Sequence, residues 1–463
     1  MKTKNIFAKT LFLTVMFVIP GCSSFLDEEN IAGQSAEEYF ATAVGYESLI
    51  NGCYNTLKSV YNTTNYNVIS QLGTDIVTQN DIDAPSLATL NKYILYQSDN
   101  GFVYTQWTNL YAALKNVNAA IDRASNVITK TQDPRDGMDE SILAKRVAEA
   151  KFFRAYEYFD LLQLFGDVIV VTEPIDITDP KMNAPRDDRS KVVDLIIEDL
   201  KQAIPDLPKE NAIATADKGR VSQGAAQAFL SRVALYEGTW QKFRTGDVTR
   251  INDLLDIAAE SAWEVIDSKQ YEIFKPAELG TDAYKYLFIL EDVQSNPANI
   301  KKDKNKEYIF SRRHDEVIAP IGKNITKNCF ANVQWVTRKL AEMYLGADGL
   351  PIDNAQSTAG VDYSTPDNEY AKRDNRMTNT LMAPGRKYWN NNASHTTWTD
   401  ADKAAFDNKD FYPTSGSGYN NQKWATERNV KDEYEGYDFP IIRYAEAVFP
   451  LCRSVTELCR SGI

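Results

Sequence analysis

The chain has 463 residues and a formal net charge of −13, with 64 acidic against 51 basic residues. A nucleic-acid-binding protein needs dense Lys and Arg to neutralise phosphates, and no such block occurs, so nucleic acid is excluded as a partner. Only two histidines occur, His314 and His395, and there is no Gly-x-Ser-x-Gly, His-Glu-x-x-His or glycine-rich phosphate loop. We therefore predict no metal site, no cofactor and no catalytic residue.

The first residues predict an export signal followed by a lipid anchor. Lys2, Lys4 and Lys9 accompany an apolar run at 11–19, and Cys22 follows a glycine. The run is shorter than the ~20 residues that span a bilayer, which indicates a cleaved signal. We expect a signal peptide at 1–21, lipidation of Cys22 and a tether at 22–35. The alternative is ordinary secretion, with a cysteine at this place by chance.

Apolar spacing predicts a helical-repeat scaffold over 36–270. Its strongest helix is 141–165, in which apolar residues recur at steps of four and three: Ala148, Phe152, Ala155, Phe159 and Leu162. Gly166 is expected to end this helix, and an extended segment follows at 167–171. The remaining predicted helices are 36–60, 104–121, 190–204 with Ser190 as N-cap, one within 219–240, and 251–268. Small residues beside bulky ones on neighbouring helices are typical of tetratricopeptide-like pairs, so the predicted fold is mainly α, a degenerate helical array.

The composition changes near residue 270. Pro, Asn, Gly, Asp and aromatic residues dominate 271–437, which contains a strand-like stretch at 307–311 and a helical period at 334–344. Together with the polar, loop-like stretch 62–100, this is more irregular chain than compact domains usually hold without a function. We predict that 271–437 is an irregular, loop-rich ligand-binding lobe.

Six blocks, in this order, resemble the SusD/RagB family of Bacteroidetes outer-membrane lipoproteins. The most specific are FFRAYEYFDLLQLFGDV at 152–168 and DFPIIRYAEA at 438–447, and the others lie at 21–30, 219–240, 338–352 and 372–385. The resemblance implies four degenerate tetratricopeptide repeats that support an irregular lobe. It also implies an outward-facing outer-membrane lipoprotein that is not an enzyme. Such a protein binds oligosaccharides, or in some members peptides, and delivers them to a SusC-like TonB-dependent transporter.

The last residues depart from that family. In relatives the FPIIRYAE block leads into a long helix, whereas here VFPLCRSVTELCRSGI follows, with Pro450, Cys452 and Cys459. Proline breaks a helix interior. We therefore expect 438–463 to be the start of a C-terminal repeat in a truncated or frameshifted reading frame, which would leave an apolar face uncovered.

Candidate ligand-binding residues come from three loop groups. Glycan sites pair flat aromatic rings with Asp, Asn, Gln and Arg, because sugars present apolar faces and rings of hydroxyls. The predicted residues are Asp75, Gln79, Asn80, Asp81, Tyr93, Arg312, His314, Tyr388, Trp389 and Trp398. The alternative for each of them is packing in a satellite cluster beneath the loops.

Two other classes of protein remain open. The many carboxylates permit a glycoside hydrolase, which would need two acids about 5–10 Å apart in a groove. A helical-repeat adaptor would bind protein only, through an apolar groove.

Three residues in the family blocks are expected to be structural: Arg154 and Arg232 at helix ends or backbone carbonyls, and Asp167 as a cap of a turn.

Overall fold

The computed structural model describes residues 35–58, 77–78, 101–176, 178–244, 246–292, 295–322, 325, 335–336, 338–383, 419, 421–426 and 433–448. Predictions that fall elsewhere lie outside the described residues. Among these are the signal peptide at 1–21, all of the tether except Ser35, and the segment 449–463.

A stack of helices forms the first half of the molecule, which we call the array. It consists of α1 (Ala36–Ala41), α2 (Ala43–Cys53), α3 (Gly101–Arg123), α4 (Glu140–Phe165), α5 (Arg189–Ala203), α6 (Gln223–Lys242) and α7 (Val248–Asp267). From α3 onward each helix packs against the next one in the chain. Side-chain contacts show that these neighbours are antiparallel, since α3 brings Trp107 to Phe165 and α5 brings Arg189 to Glu237. The predicted mainly α, tetratricopeptide-like architecture is confirmed.

Helix α4 is the centre of the array. Phe152, Phe153, Tyr158 and Leu161 are fully buried, because α3 packs on one side of the helix and α5 on the other. Gly166 ends the helix with a φ of 69°, a left-handed conformation that glycine adopts at little cost. The wide apolar face of this segment therefore predicted its central position correctly.

Two helix boundaries differ from the sequence prediction. The predicted helix 36–60 is divided at Thr42, whose backbone is extended and whose hydroxyl caps α2 by accepting from Gly45 N at 3.0 Å. Helix α5 is capped by Asp188, which accepts from Ser190 N at 2.8 Å, so Ser190 lies inside the helix. Both residues are strong N-cap types, and local side-chain bonds decide such boundaries more than apolar spacing does.

Helices α6 and α7 pack closely through small residues. A methyl group added at Gly238 would lie 3.2–3.3 Å from Leu254 and Leu255 of α7. The buried Ser231 hydroxyl donates to Ala258 O at 2.7 Å. This contact agrees with the predicted pairing of small and bulky residues.

Short elements make up the rest of the described chain, which we call the lobe. They are α8 (Ala283–Leu287), β2 (Tyr308–Arg312), α9 (Arg338–Met343), α10 (Pro366–Ala371), α11 (Asn375–Thr380) and β4 (Phe439–Arg443), with β1 (Val77–Thr78) paired to β3 (Trp335–Val336). The predicted helix 334–344 is thus shorter, because its first residues form β3. Strand β2, predicted at 307–311, pairs antiparallel with β4 and places Phe310 against Phe152 of α4 at 5.5 Å.

Buried carboxylates in the array pair with arginines of the same helix and of other elements. Asp199 receives both Nε and Nη2 of Arg154 at 2.7 Å, and both residues are buried. Glu149 is bound by Arg146 at 2.6 Å and by Arg220 at 2.8 Å. These contacts join α4 to α5 and to the segment before α6. Arg154 also donates to Thr172 O at 3.0 Å, which is the backbone contact predicted for it.

Carboxylates in the lobe accept backbone N–H groups, and Glu307 also pairs with Arg443 at 3.1 Å. Glu307 accepts from Phe274 N and Glu435 accepts from Ile325 N, each at 2.8 Å. Asp438 accepts from His314 N at 2.9 Å. Irregular backbone has no helical or sheet partner for these donors, so side chains satisfy them.

Candidate ligand-binding site

The described residues include two of the predicted ligand-binding residues. Arg312 lies at the end of β2, and His314 follows it in the next turn. The other predicted positions lie outside the described residues: Cys22, Asp75, Gln79, Asn80, Asp81, Tyr93, Tyr388, Trp389 and Trp398. For those positions the prediction stands as it was made.

Arg312 joins the lobe to Leu57, shortly after the end of α2. Its Nη1 donates to Leu57 O at 2.5 Å, and burial lowers the pKa of its guanidinium. The next residue, Lys58, forms an ion pair with Asp160 of α4 at 2.8 Å. The chain is therefore fixed to both the lobe and the array where segment 59–100 begins.

Segment 59–100 is attached at both of its ends to one end of the array. It leaves at Lys58, beside the last turns of α4, and it returns at Gly101, the first residue of α3. Trp107 of α3 contacts Phe165, the last residue of α4, at 5.1 Å. Segment 59–100, which contains the predicted ligand stretch 73–96, thus follows directly after the residues that Arg312 and Asp160 hold.

His314 is buried, with 7% of its surface exposed. Its Nδ1 lies 3.2 Å from Ala319 O, and burial lowers the pKa of the imidazole. It sits beside the turn 315–319, where Asp315 and Ala319 exchange backbone hydrogen bonds and Ile318 is 88% exposed. In the described structure Arg312 and His314 organise the backbone around β2, and their contact with a ligand stays a prediction.

An aromatic cluster that sequence reasoning missed lies beside β4. Trp424 contacts Phe288 at 5.1 Å, stacks on Tyr437 at 5.7 Å and lies 5.5 Å from Phe439. Trp424 has a φ of 77°, which is strained for a bulky residue, and its indole is half-buried. Strained residues of this kind concentrate at ligand sites. The only sequence signal was a tryptophan in the mostly polar stretch 420–428, a feature that many loop positions share.

Two cations accompany this cluster. Lys423 Nζ lies 4.2 Å from the centre of the Phe288 ring, and the Arg443 guanidinium lies 5.2 Å from it. Burial, followed by the positive charge of Arg443, lowers the pKa of Lys423 to about 7. The cluster therefore combines an aromatic surface with a lysine whose charge changes near neutral pH.

The carboxyl groups with raised pKa values lie in packed or hydrogen-bonded surroundings. Burial raises the pKa of Glu157 to about 8; this residue is 2% exposed within α4, and its Oε1 has no hydrogen-bond partner. Burial also raises the pKa values of Asp199 and Glu307, which bind Arg154 and Phe274 N respectively. Within the described ranges no group of three or more His, Cys, Asp or Glu residues could hold a metal ion.

Described residues of the array line at least two cavities. One, of about 470 Å³, is lined by Phe40, Asp122 and Arg123. The other, of about 370 Å³, runs along α3 and is lined by Tyr111 and Met182 among others. Neither contains Arg312, His314 or Trp424. Among the described helices, none has the length and apolar character needed to cross a membrane.

Comparison with known proteins assigns both halves of the chain to one family. A SusD-like family model, described as starch-binding and associating with the outer membrane, matches residues 24–235. The SusD family model matches residues 291–449. Together these two matches span most of the chain.

Individual relatives agree with this assignment. A SusD-like protein of Formosa agariphila is 25% identical over 289 residues, which are 60% of this chain and 50% of the relative, so the match spans half the relative's length. A SusD-like protein of Bacteroides fragilis has a similar fold, with a TM-score of 0.66 at 20% identity, over 91% of this chain and 76% of that one. A SusD-like carbohydrate binding protein of the same species gives a TM-score of 0.62 at 18% identity, over 90% and 75%. With its array, its lobe and both family models in agreement, the chain belongs to the SusD/RagB family.

Proposed function

We propose that this chain is a lipid-anchored protein of the outer cell surface that captures oligosaccharide and delivers it to a SusC-like TonB-dependent transporter. The observation that carries the proposal is the match of SusD family models to both the array and the lobe. Carbohydrate binding is a property of SusD-like proteins at the family level, and the similar Bacteroides fragilis structure is described as carbohydrate binding. The anchor would be the lipid on Cys22.

The scaffold and the lobe have different proposed roles in ligand binding. The scaffold at 36–270 would hold segment 59–100, which contains the predicted ligand stretch 73–96, through Lys58 and Gly101 on either side of it. The predicted ligand-binding stretch 271–437 would supply the remaining contacts. Arg312 ties the two together through Leu57. Trp424 joins the proposed ligand-binding residues, because its half-buried indole lies in a strained backbone beside other aromatic rings. The indole offers both stacking area and a polar edge to a sugar.

Binding without catalysis is proposed because three buried acids with raised pKa values have structural partners or lie in the helix interior. Asp199 and Glu307 are each held by donors of the fold, and Glu157 is buried in α4. A two-carboxylate hydrolase would instead need two acids facing a groove.

The test begins with an affinity purification of the tagged full-length lipoprotein from its native outer membrane, followed by mass spectrometry. We expect a TonB-dependent barrel in near-stoichiometric amount. Glycan binding is then measured by calorimetry, with reducing-sugar release as the assay for hydrolysis. Recovery of a folded protein with no barrel and no glycan affinity would contradict the proposal, and release of sugar would establish an enzyme.

A matched pair of variants tests the role of Trp424. Trp424→Ala should weaken glycan binding roughly tenfold or more, because stacking of a ring on an aromatic side chain is lost. Trp263→Ala removes a tryptophan that is 53% exposed on helix α7 of the array, far along the chain from Trp424, and should leave binding unchanged. Equal binding by both variants would remove Trp424 from the site.

A further inference from the structure

One end of the array carries a concentration of tryptophan and arginine, which we call the tryptophan end face. It comprises Trp107, Trp240, Arg186, Arg189 and Arg244. These residues come together because α4 and α6 end here, while α3, α5 and α7 begin here. Segment 59–100 leaves and returns at this same end, as described above.

Trp240 is held between cationic groups. The Arg244 guanidinium lies 3.6 Å from the centre of its ring, and that of Arg189 lies 4.1 Å from it. Tyr236, in the preceding turn, stacks on the indole at 6.1 Å. These neighbours leave the indole little open face on which a sugar could stack.

Trp107 repeats the arrangement at the start of α3. Arg186 lies 5.1 Å from the centre of its ring, and Phe165 meets the ring edge-to-face at 5.1 Å. Tyr104, one turn earlier on the same helix, is 67% exposed. The two tryptophan–arginine pairs therefore stand at opposite sides of the α4 C-terminus.

The arginines of this face differ in whether they form ion pairs with described residues. Arg189 forms an ion pair with the buried Glu237 at 2.7 Å. Arg186 and Arg244 are exposed, and neither makes an ion pair in the described part of the chain, although the whole chain carries a charge of −13. Two guanidinium groups are thus pre-oriented on aromatic rings and form no ion pair with a described residue.

Exposed apolar side chains surround these arginines. Phe243 is 69% exposed and Val248 is 61% exposed in the turn between α6 and α7, and Leu164 is 38% exposed in the last turn of α4. Tryptophan, tyrosine and arginine are the residue types that dominate binding energy at protein interfaces, and apolar neighbours exclude water around them.

We propose that the tryptophan end face docks an acidic and apolar surface of the transporter, so this inference rests on the proposed function above. Arg186 and Arg244, which form no ion pair with a described residue, call for carboxylates on the partner, and Phe243 and Val248 call for apolar contacts. A glycan is a poorer fit, because arginine covers the tryptophan rings. Docking here would place the transporter next to the residues at which segment 59–100 leaves and rejoins the array.

The experiment compares three forms of the tagged full-length lipoprotein in the native outer membrane. Arg186→Glu/Arg244→Glu reverses the two exposed charges of the face. Arg123→Glu/Arg135→Glu makes the same change in net charge at the opposite end of the array, where Arg123 lies 5.3 Å from the ring of Phe40. Co-purified barrel is quantified at several salt concentrations, and circular dichroism confirms that each form is folded.

The expected result is a loss of barrel of roughly tenfold or more in the Arg186/Arg244 variant, since like charges then meet at the interface. The control should retain wild-type recovery, and added salt should weaken the wild type. Phe243→Ser should also reduce recovery. Equal recovery by wild type and the Arg186/Arg244 variant overturns the docking face alone. If the wild type recovers no barrel, the proposed function itself is overturned. If the Arg186/Arg244 variant retains the barrel but loses glycan binding, the face binds an anionic glycan instead.

Discussion

The array and the lobe use buried carboxylates in different ways. In the array Asp199 and Glu149 each bind arginine side chains, because helical backbone donors are already satisfied within their own helices. In the lobe Glu307 and Glu435 accept N–H groups of irregular backbone, and the additional ion pair of Glu307 with Arg443 is partly exposed. The negative charge is therefore essential to the first kind of contact, whereas the second kind needs mainly an acceptor oxygen.

The largest effect is expected for Asp199→Asn in the array. The amide keeps the size of the side chain, but Arg154 would remain buried and charged without its anion. Breaking a buried ion pair in this way typically costs about 3–5 kcal/mol of unfolding free energy. Urea unfolding followed by circular dichroism measures the loss. The double variant Arg154→Met/Asp199→Leu removes both charges and should recover most of the stability, and a cost below about 1 kcal/mol for the single variant would contradict the comparison.

A smaller, pH-dependent effect is expected for Glu157→Gln. Burial raises the pKa of this carboxyl to about 8 from 4.5, so the folded protein holds a proton that the unfolded chain releases between those values. The unfolding free energy of the wild type should therefore fall as the pH rises from about 4.5 to 8, and then level off. The variant should not follow this fall and should gain about 2–4 kcal/mol relative to the wild type by pH 8. Parallel stability curves for the two proteins would show that Glu157 is ionised.

Gly436→Ala should destabilise the lobe by about 1–3 kcal/mol. The new methyl carbon would lie 2.3 Å from Glu316 N and 2.9 Å from the carbonyl carbon of Asp315, so backbone must move. Hydrogen exchange should increase in 315–322 and remain unchanged in α4. Gly52→Ala is the matched change in the array, where the methyl group meets no atom within 4 Å. Increased exchange in α4 would show that the two regions unfold together.

The smallest effect is expected for Glu307→Gln, at less than about 1 kcal/mol. The amide oxygen can still accept from Phe274 N, and the lost ion pair with Arg443 is partly exposed. Glu307→Ala leaves a buried N–H without an acceptor and should cost about 1–3 kcal/mol, measured in the same urea experiment. Equal losses for Gln and Ala would mean that the charge, rather than the oxygen, matters in the lobe as well.

The helices of the array were predictable because apolar periodicity and a helix-ending glycine depend only on residues that are near in sequence. The pattern in 141–165 and Gly166 predicted α4 and its end. The break at Thr42 was missed, since the decisive hydroxyl bond to Gly45 N leaves no trace in apolar spacing. The pairing of β2 with β4 was also missed, because it joins residues more than a hundred positions apart.

The candidate site was less predictable, for a physical reason. A loop has the same aromatic and polar composition whether its side chains pack against the protein or bind a ligand. His314 is buried and Arg312 bonds a carbonyl, and nothing in their local sequence indicated either contact. Trp424 became a candidate only through its backbone conformation.

The pairing of β2 with β4 has a consequence for the order of folding. Strand β2 has no partner for its ladder hydrogen bonds until residues 439–443 have been synthesised, whereas α3 to α5 need only neighbours that precede or closely follow them. Contacts between distant residues close slowly, because the intervening chain must first lose conformational freedom. The array should therefore form first on the growing chain. Until β4 is made, β2 has an open edge that a chaperone can bind or that can pair with a wrong strand.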